Sequence, residues 1–198
     1  DLSNAPVADP LIHPTAVISP GAVIGEGTRI GPYAVIGAQV RMGRDNQVGP
    51  HAVIDGATTI GDRNRFSQSV SVGAPPQHDA WSGDAAPLVI GDDNVIREFA
   101  TLHGGVAGPT VVGSRNMIMT GAHVAHDCHI GDDVHMANAA TLGGHVVVGD
   151  HAWVSGLTAV HQNSRIGAYA FVAGGAIVTQ DVPPFCLVQG DRARLVSL

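Results

Sequence analysis

Residues 118–148 read IMTGAHVAHDCHIGDDVHMANAATLGGHVVV, with an apolar residue at every sixth position: Ile118, Val124, Ile130, Met136, Leu142 and Val148. A helix turns in about 3.6 residues and a half-buried strand alternates in two, so a strict period of six belongs to a short strand followed by a corner. The same frame extends outward on both sides. It runs without a slip from Ile12 to Val72, resumes at Ile90, Ile96 and Leu102, and continues from Val112 to Val178. Glycine often follows the apolar residue, as at Ile24-Gly25, Ile60-Gly61 and Ile130-Gly131, which marks the corner.

Two residues before each apolar position the side chain is usually small, as at Ala16, Ala34, Ala52, Ala122, Cys128, Ala140 and Ala152. Positions i and i−2 of a strand share a face, so both point inward. One hexapeptide cannot bury its apolar residue alone. Stacked hexapeptides make a continuous core and pair their backbones with the coils above and below, which predicts an all-β parallel β-helix. If three sides close one coil, residues 18 apart stack at about 4.8 Å. The repeat is expected over residues 1–182, leaving 183–198 as a tail. Two Gly/Pro-rich interruptions, near 73–88 and 103–111, should loop out of the prism, where excursions commonly carry function.

The composition narrows the chemistry. The 198 residues carry a formal net charge of −7, and all ten cations are arginines. Without lysine there is no Schiff-base chemistry and no phosphate-loop lysine, and the acidic balance argues against nucleic-acid binding. No apolar run approaches the roughly 18 residues of a membrane span, and no charged, apolar leader opens the sequence, so a soluble cytoplasmic protein without membrane insertion is expected. Cys128 and Cys186 have neither metal-ligand spacing nor the density of a disulfide scaffold.

Eleven histidines are many for this length. Stacking by 18 sets Gly144 over His126 with His145 beside it. His161 lies two coils above Ala125, and His103 enters the same column once four extra loop residues are subtracted. His103, His123, His126, His145 and His161 therefore converge on one edge spanning about 10–15 Å. A histidine can take a proton from a hydroxyl near neutral pH, and Asp127, next to His126, is the nearest carboxylate to orient it. For His13, His51, His129, His135 and His151 a surface corner is the preferred reading. Cys128 falls at an inward position, where burial outweighs a nucleophilic role. A metal bound by His123, His126 and His145 ranks low, so the expected metal set is none.

The strings Ala122-His123-Val124-Ala125-His126-Asp127-Cys128, Leu142-Gly143-Gly144-His145, Ala159-Val160-His161-Gln162 and Gln180-Asp181-Val182-Pro183-Pro184 resemble those of the UDP-N-acetylglucosamine 3-O-acyltransferases. These are hexapeptide-repeat enzymes of lipid A synthesis, and the likeness covers nearly the whole chain. It implies a left-handed β-helix, a homotrimer with sites between neighbouring prisms, and transfer of a 3-hydroxyacyl group from acyl carrier protein to the 3-hydroxyl of the UDP-sugar, with no other cofactor. It implies His126 as general base, Asp127 as its orienting group and the Gly144 N–H as oxyanion donor. Gln77, His78, His103, His123, His145, His161 and Gln162 match substrate-lining positions, and Gly174 matches the residue that limits acyl-chain length. The family's helical C-terminal domain has no counterpart in residues 183–198.

Three positions depart from the family pattern. His78 stands where an aspartate is usual, Ala80 where a substrate-contacting lysine is, and Gly104 where arginine is frequent. They keep two alternatives open: an N-acyl- or acetyltransferase acting on a 3-amino nucleotide sugar, or a non-catalytic β-helix core. An acidic carrier protein would need a local basic patch on this acidic chain, for which Arg97, Arg115, Arg165, Arg192 and Arg194 are available.

Overall fold

The structure is a computed structural model that describes residues 11–197. The first ten residues of the expected 1–182 repeat and the last residue of the tail lie outside the described residues. Among the described residues nearly every hexapeptide becomes a strand of two to four residues, and the strands form three sheets of nine, eight and ten members, parallel except for the last strand. Up to Ile177–Val178 the sheet order advances by three strands at each step, so successive strands lie on successive faces of a triangular coil.

Register follows the sequence spacing. His123 pairs with Thr141 and Thr141 with Ala159, each 18 residues on. Across the first excursion the spacing grows to 30, Ser71 opposite Thr101, and across the second to 22, Thr101 opposite His123. Both insertions leave the frame intact because each begins and ends at a corner.

In each two-residue strand the first side chain points out and the second in. Ile36, Ile54, Ile96, Leu102, Val124 and Leu142 have no exposed surface, and Ala34, Ala52, Ala122 and Ala140 fill the narrow positions beside them. Ile12, Ile18 and Ile24, in the first coil, are only partly covered because no described coil lies beneath them. Corners require a left-handed residue, and most are not glycine: Tyr33, His51, Asp127, His145 and Leu157 all have φ between 57 and 61°. Such a conformation strains an L-residue by about 1–2 kcal/mol. Hydrogen bonds to the coil below hold it in place, as when the His145 N–H donates to the His126 carbonyl at 3.0 Å.

A buried polar ladder runs through one corner. Asn46, Asn64, Asn94 and Asn116 stack in successive coils, each side-chain oxygen accepting the backbone N–H of the next residue in the column at 2.7–3.0 Å. Hydrophobic periodicity does not reveal this ladder. At the other end the repeat goes further than expected. Leu187–Gln189 pairs in parallel with Phe171–Val172, and Arg194–Ser197 returns antiparallel on it. Residues 183–197 thus form a strand and hairpin on the ten-stranded sheet, and this last coil is two residues short: Val188 stacks on Val172, 16 residues on, with Val182, Cys186 and Val188 buried.

Candidate functional site: a histidine ridge around a saturated carboxylate

His126 follows the strand His123–Val124 at a corner, and Asp127 is the left-handed residue that completes it. In an extended strand these neighbours would point to opposite faces. The corner turns them together, and His126 Nδ1 lies 2.7 Å from Asp127 Oδ2, both side chains buried.

The second excursion completes the carboxylate's surroundings. The Val106 N–H donates to Oδ2 at 3.0 Å, and the Ala107 and Gly108 N–H groups donate to Oδ1 at 2.8 and 2.9 Å. Burial alone would push this carboxyl up, but the backbone donors and His126 outweigh it and hold Asp127 at about 2. An ionised carboxylate only accepts, so Nδ1 of a neutral His126 carries the proton and Nε2 keeps its lone pair. With two donors on each oxygen, Asp127 has no lone pair left for a metal. His126, Asp127 and His145 could otherwise have grouped around an ion.

Gly144 lies one coil above His126, and a methyl group there would sit 2.5 Å from His126 Nε2 and Cε1. Glycine is therefore required by close approach, not by its own backbone angles. The Gly144 N–H has no hydrogen-bond partner among the described residues. Two further imidazoles meet His126 edge-on: His145, 41% exposed, with ring centroids 5.2 Å apart, and His78 from the first excursion at 4.9 Å. The Ala80 N–H donates to His78 Nδ1, which leaves the proton on Nε2 of that ring when neutral.

His103, one coil lower, meets His123 edge-on at 4.9 Å, and His123 Nδ1 shares a 2.7 Å hydrogen bond with the Thr101 hydroxyl. Burial, then the neighbouring His123 and His126, lower His103 to about 4, and burial and His126 lower His123 as well. Both are neutral donors or acceptors at physiological pH. His161 and Gln162 continue the columns of Ala125 and His126 two coils up. Both are exposed, and His161 Nδ1–H donates to the Gln162 carbonyl at 3.0 Å. Gln77 is exposed beside His78.

Gly174 is not part of this ridge. It follows Phe171–Val172 on the ten-stranded sheet, whereas the histidines follow strands of the nine-stranded one, so within one chain it occupies another edge of the prism. A methyl group at Gly174 would touch only the Gly156 carbonyl oxygen, at 3.5 Å. A cleft of 750 Å³ is lined by Arg29, Arg65, Arg97 and neighbours of the lower coils and contains none of the ridge residues.

Cys128 is buried, and that burial raises its thiol to about 12, which removes it as a nucleophile. Two of the arginines available for an acidic partner are already engaged. Arg97 pairs with Glu98 at 2.9 Å, and Arg115 forks onto Asp133 while also reaching Asp132. His51, His135 and His151 stack on Tyr33, Trp153 and Tyr169, as corner and surface histidines. Sequence reasoning missed Thr101, Thr110 and the Val106–Gly108 amides. Their only trace was the glycine-rich second interruption.

Residues 8–38 and 109–144 match the bacterial transferase hexapeptide family (six repeats). The chain is 52% identical over 190 residues to an acyl-[acyl-carrier-protein]–UDP-N-acetylglucosamine O-acyltransferase of Myxococcus xanthus, covering 94% of this chain and 74% of that one. Among solved structures, the UDP-N-acetylglucosamine acyltransferase of Campylobacter jejuni matches with a TM-score of 0.90 and 40% identity over 94% of this chain and 74% of its own. The UDP-N-acetylglucosamine O-acyltransferase of Moraxella catarrhalis matches with a TM-score of 0.94 and 37% identity, covering 95% and 74%.

Proposed function

Because the chain belongs to the acyl-[acyl-carrier-protein]–UDP-N-acetylglucosamine O-acyltransferase family, we propose that His126 is the general base of that acyl transfer, acting in the first step of lipid A synthesis. The chain is an O-acyltransferase taking its acyl group from acyl carrier protein and passing it to UDP-N-acetylglucosamine.

The base role rests on one observation: a saturated, ionised Asp127 holds the Nδ1 proton of His126, so the free lone pair is on Nε2, facing the Gly144 coil. In the proposed step, Nε2 takes the proton of the sugar 3-hydroxyl as its oxygen attacks the thioester carbonyl of a 3-hydroxyacyl group. The oxygen that becomes negative accepts the Gly144 N–H, a kind of contact worth about 3–4 kcal/mol. The tetrahedral intermediate then expels the carrier thiolate, which takes the proton back from the imidazolium. Asp127 stabilises that cation while it exists. Transfer is direct, with no covalent enzyme intermediate and no further cofactor.

His103, His123, His145, His161 and Gln162 line the ridge as polar contacts for the sugar, with Gln77 and His78 reaching over from the first excursion. Gly174, on a different edge, would have to come from a neighbouring chain to bound the acyl pocket, which favours a homotrimer with each site between two prisms. The reaction is assigned to the cytoplasm, where an acyl carrier protein and a nucleotide sugar meet.

The test is transfer from 3-hydroxyacyl carrier protein to UDP-N-acetylglucosamine, run beside its 3-amino analogue and an acyl-CoA donor. His126→Ala is expected to abolish turnover with the assembly intact. Turnover only with the amine would overturn the 3-hydroxyl as acceptor, and turnover only with acyl-CoA would overturn the carrier protein as donor. Turnover undiminished in the variant would remove His126 from the mechanism.

A further inference from the structure

The second excursion lies against the Asp127 side of the His126–Asp127 pair. Its two ends are tied to a single acceptor: the Gly105 and Thr110 N–H groups both donate to the Pro87 carbonyl at 3.0 Å. The Gly104 N–H donates to the Ala74 carbonyl, also at 3.0 Å. These ties fold residues 104–109 into a tight arch whose three consecutive amides, Val106, Ala107 and Gly108, turn inward onto the Asp127 carboxylate. The arch tolerates no side chain at its base. A methyl group at Gly104 would run into the Ala86 backbone, and one at Gly105 into the Gly108 carbonyl oxygen. Any side chain at position 104 would have to displace the Ala86 backbone.

The backbone of Asp127 is held from the same side. Thr110, fully buried at the foot of the arch, accepts the Asp127 N–H on its hydroxyl at 2.8 Å. Asp127 stands in the left-handed region at φ 57°, a conformation that needs outside support in a non-glycine residue. Thr110 supplies that support at the backbone, and the arch supplies it at the carboxylate.

We propose that residues 104–110 are a positioning element for the His126–Asp127 pair, with Thr110 and Gly105 as positioning residues that fix the imidazole tautomer and ring orientation without touching substrate. This rests on the reading of His126 as the base. Consecutive N–H groups converging on one anion form a concave donor site of the kind that binds free anions elsewhere. Here the anion is the protein's own carboxylate. Its direction is set before substrate arrives, and it has no free acceptor site through which to swing away.

Thr110→Val keeps the buried shape and deletes the acceptor of the Asp127 N–H. It is expected to lower kcat about tenfold with KM for UDP-N-acetylglucosamine unchanged, and Thr110→Ser is expected to restore kcat to within about twofold. Nitrogen-15 spectra of the imidazoles give a readout that a general loss of stability would not move. In the unsubstituted protein His126 should be protonated at Nδ1 and bare at Nε2, and Thr110→Val should show both tautomers. Gly105→Ala, which opens the arch, should lose more activity than Thr110→Val. If that variant does not fold, the threonine pair decides alone. Unchanged kcat and an unchanged tautomer in Thr110→Val would overturn the proposal. A fully active His126→Ala would instead overturn the base assignment beneath it, so the two failures are separable.

Discussion

Gly144→Ala is the sharpest perturbation available at the ridge, because it adds one carbon at a known distance from the reacting nitrogen. That carbon would sit 2.5 Å from His126 Nε2 and Cε1. Non-bonded heavy atoms rest at about 3.5–4.0 Å, so the ring or the coil must retreat by about 1 Å. The ring has little room to do so. Its Nδ1 is bonded to Asp127 at 2.7 Å, and His78 and His145 stand edge-on against it. Gly144 is not among the left-handed residues, so alanine adds no backbone strain of its own, and the effect isolates the contact. A 1 Å misplacement of a catalytic group costs about a hundredfold in rate, roughly 2.7 kcal/mol in the barrier. The assay is steady-state transfer from 3-hydroxyacyl carrier protein, with thermal unfolding measured in parallel. Expected are a fall in kcat of about 10²-fold and a melting temperature within a few degrees of the parent. If kcat stays within about threefold while the protein is folded, the imidazole is not held where the geometry puts it, and the base assignment loses its support.

Asn64→Ala should destabilise the fold by about 2–4 kcal/mol, because it orphans the buried Asn94 N–H and the Gly91 carbonyl that Asn64 now satisfies; urea unfolding reads this directly. Stability should also fall as pH drops from about 6.5 to 4. His103 binds a proton more weakly when folded, at about 4, than when unfolded, so the unfolded chain gains protons first; the loss is absent above the unfolded value and complete below the folded one. About 1–2 kcal/mol is expected after discounting for solvent at the site's edge, and His103→Gln should flatten the melting curve against pH in that window. Iodoacetamide at neutral pH should leave the folded enzyme active and unlabelled, since Cys128 and Cys186 are both buried and the Cys128 thiol is pushed up to about 12. Rapid inactivation that maps to Cys128 would contradict that placement.

The period of six carried the fold because it is a direct consequence of burial. Ile118, Val124, Ile130, Met136 and Leu142 sit in the frame read from the sequence, and all are buried. Stacking by 18 was equally legible, since one coil repeats the next and no long-range pairing has to be guessed. The end of the prism was not. Proline at 183 and 184 suggested a stop, but Leu187–Gln189 resumes the parallel pairing after a corner that tolerates proline. The asparagine ladder was invisible for a related reason: a polar residue in a narrow inward position looks like a flaw in the pattern until its partners in adjacent coils are known.

At the site, the column arithmetic brought His126, Gly144 and His145 together, because those residues lie in regular coils where position follows from number alone. It could not say whether the adjacent His126 and Asp127 face each other. That depends on one left-handed φ, which the sequence marks only as a corner. Nor could it supply the donors to Asp127, which come from an excursion where periodicity carries no information. The distinction is physical. The repeat determines which side chains share a column, whereas the charge and orientation of the pair depend on three backbone amides and one hydroxyl that interrupt it. Prism and arch therefore answer to different substitutions: loss of an inward apolar residue should lower stability, while loss of Thr110 should lower turnover with a smaller effect on the melting temperature.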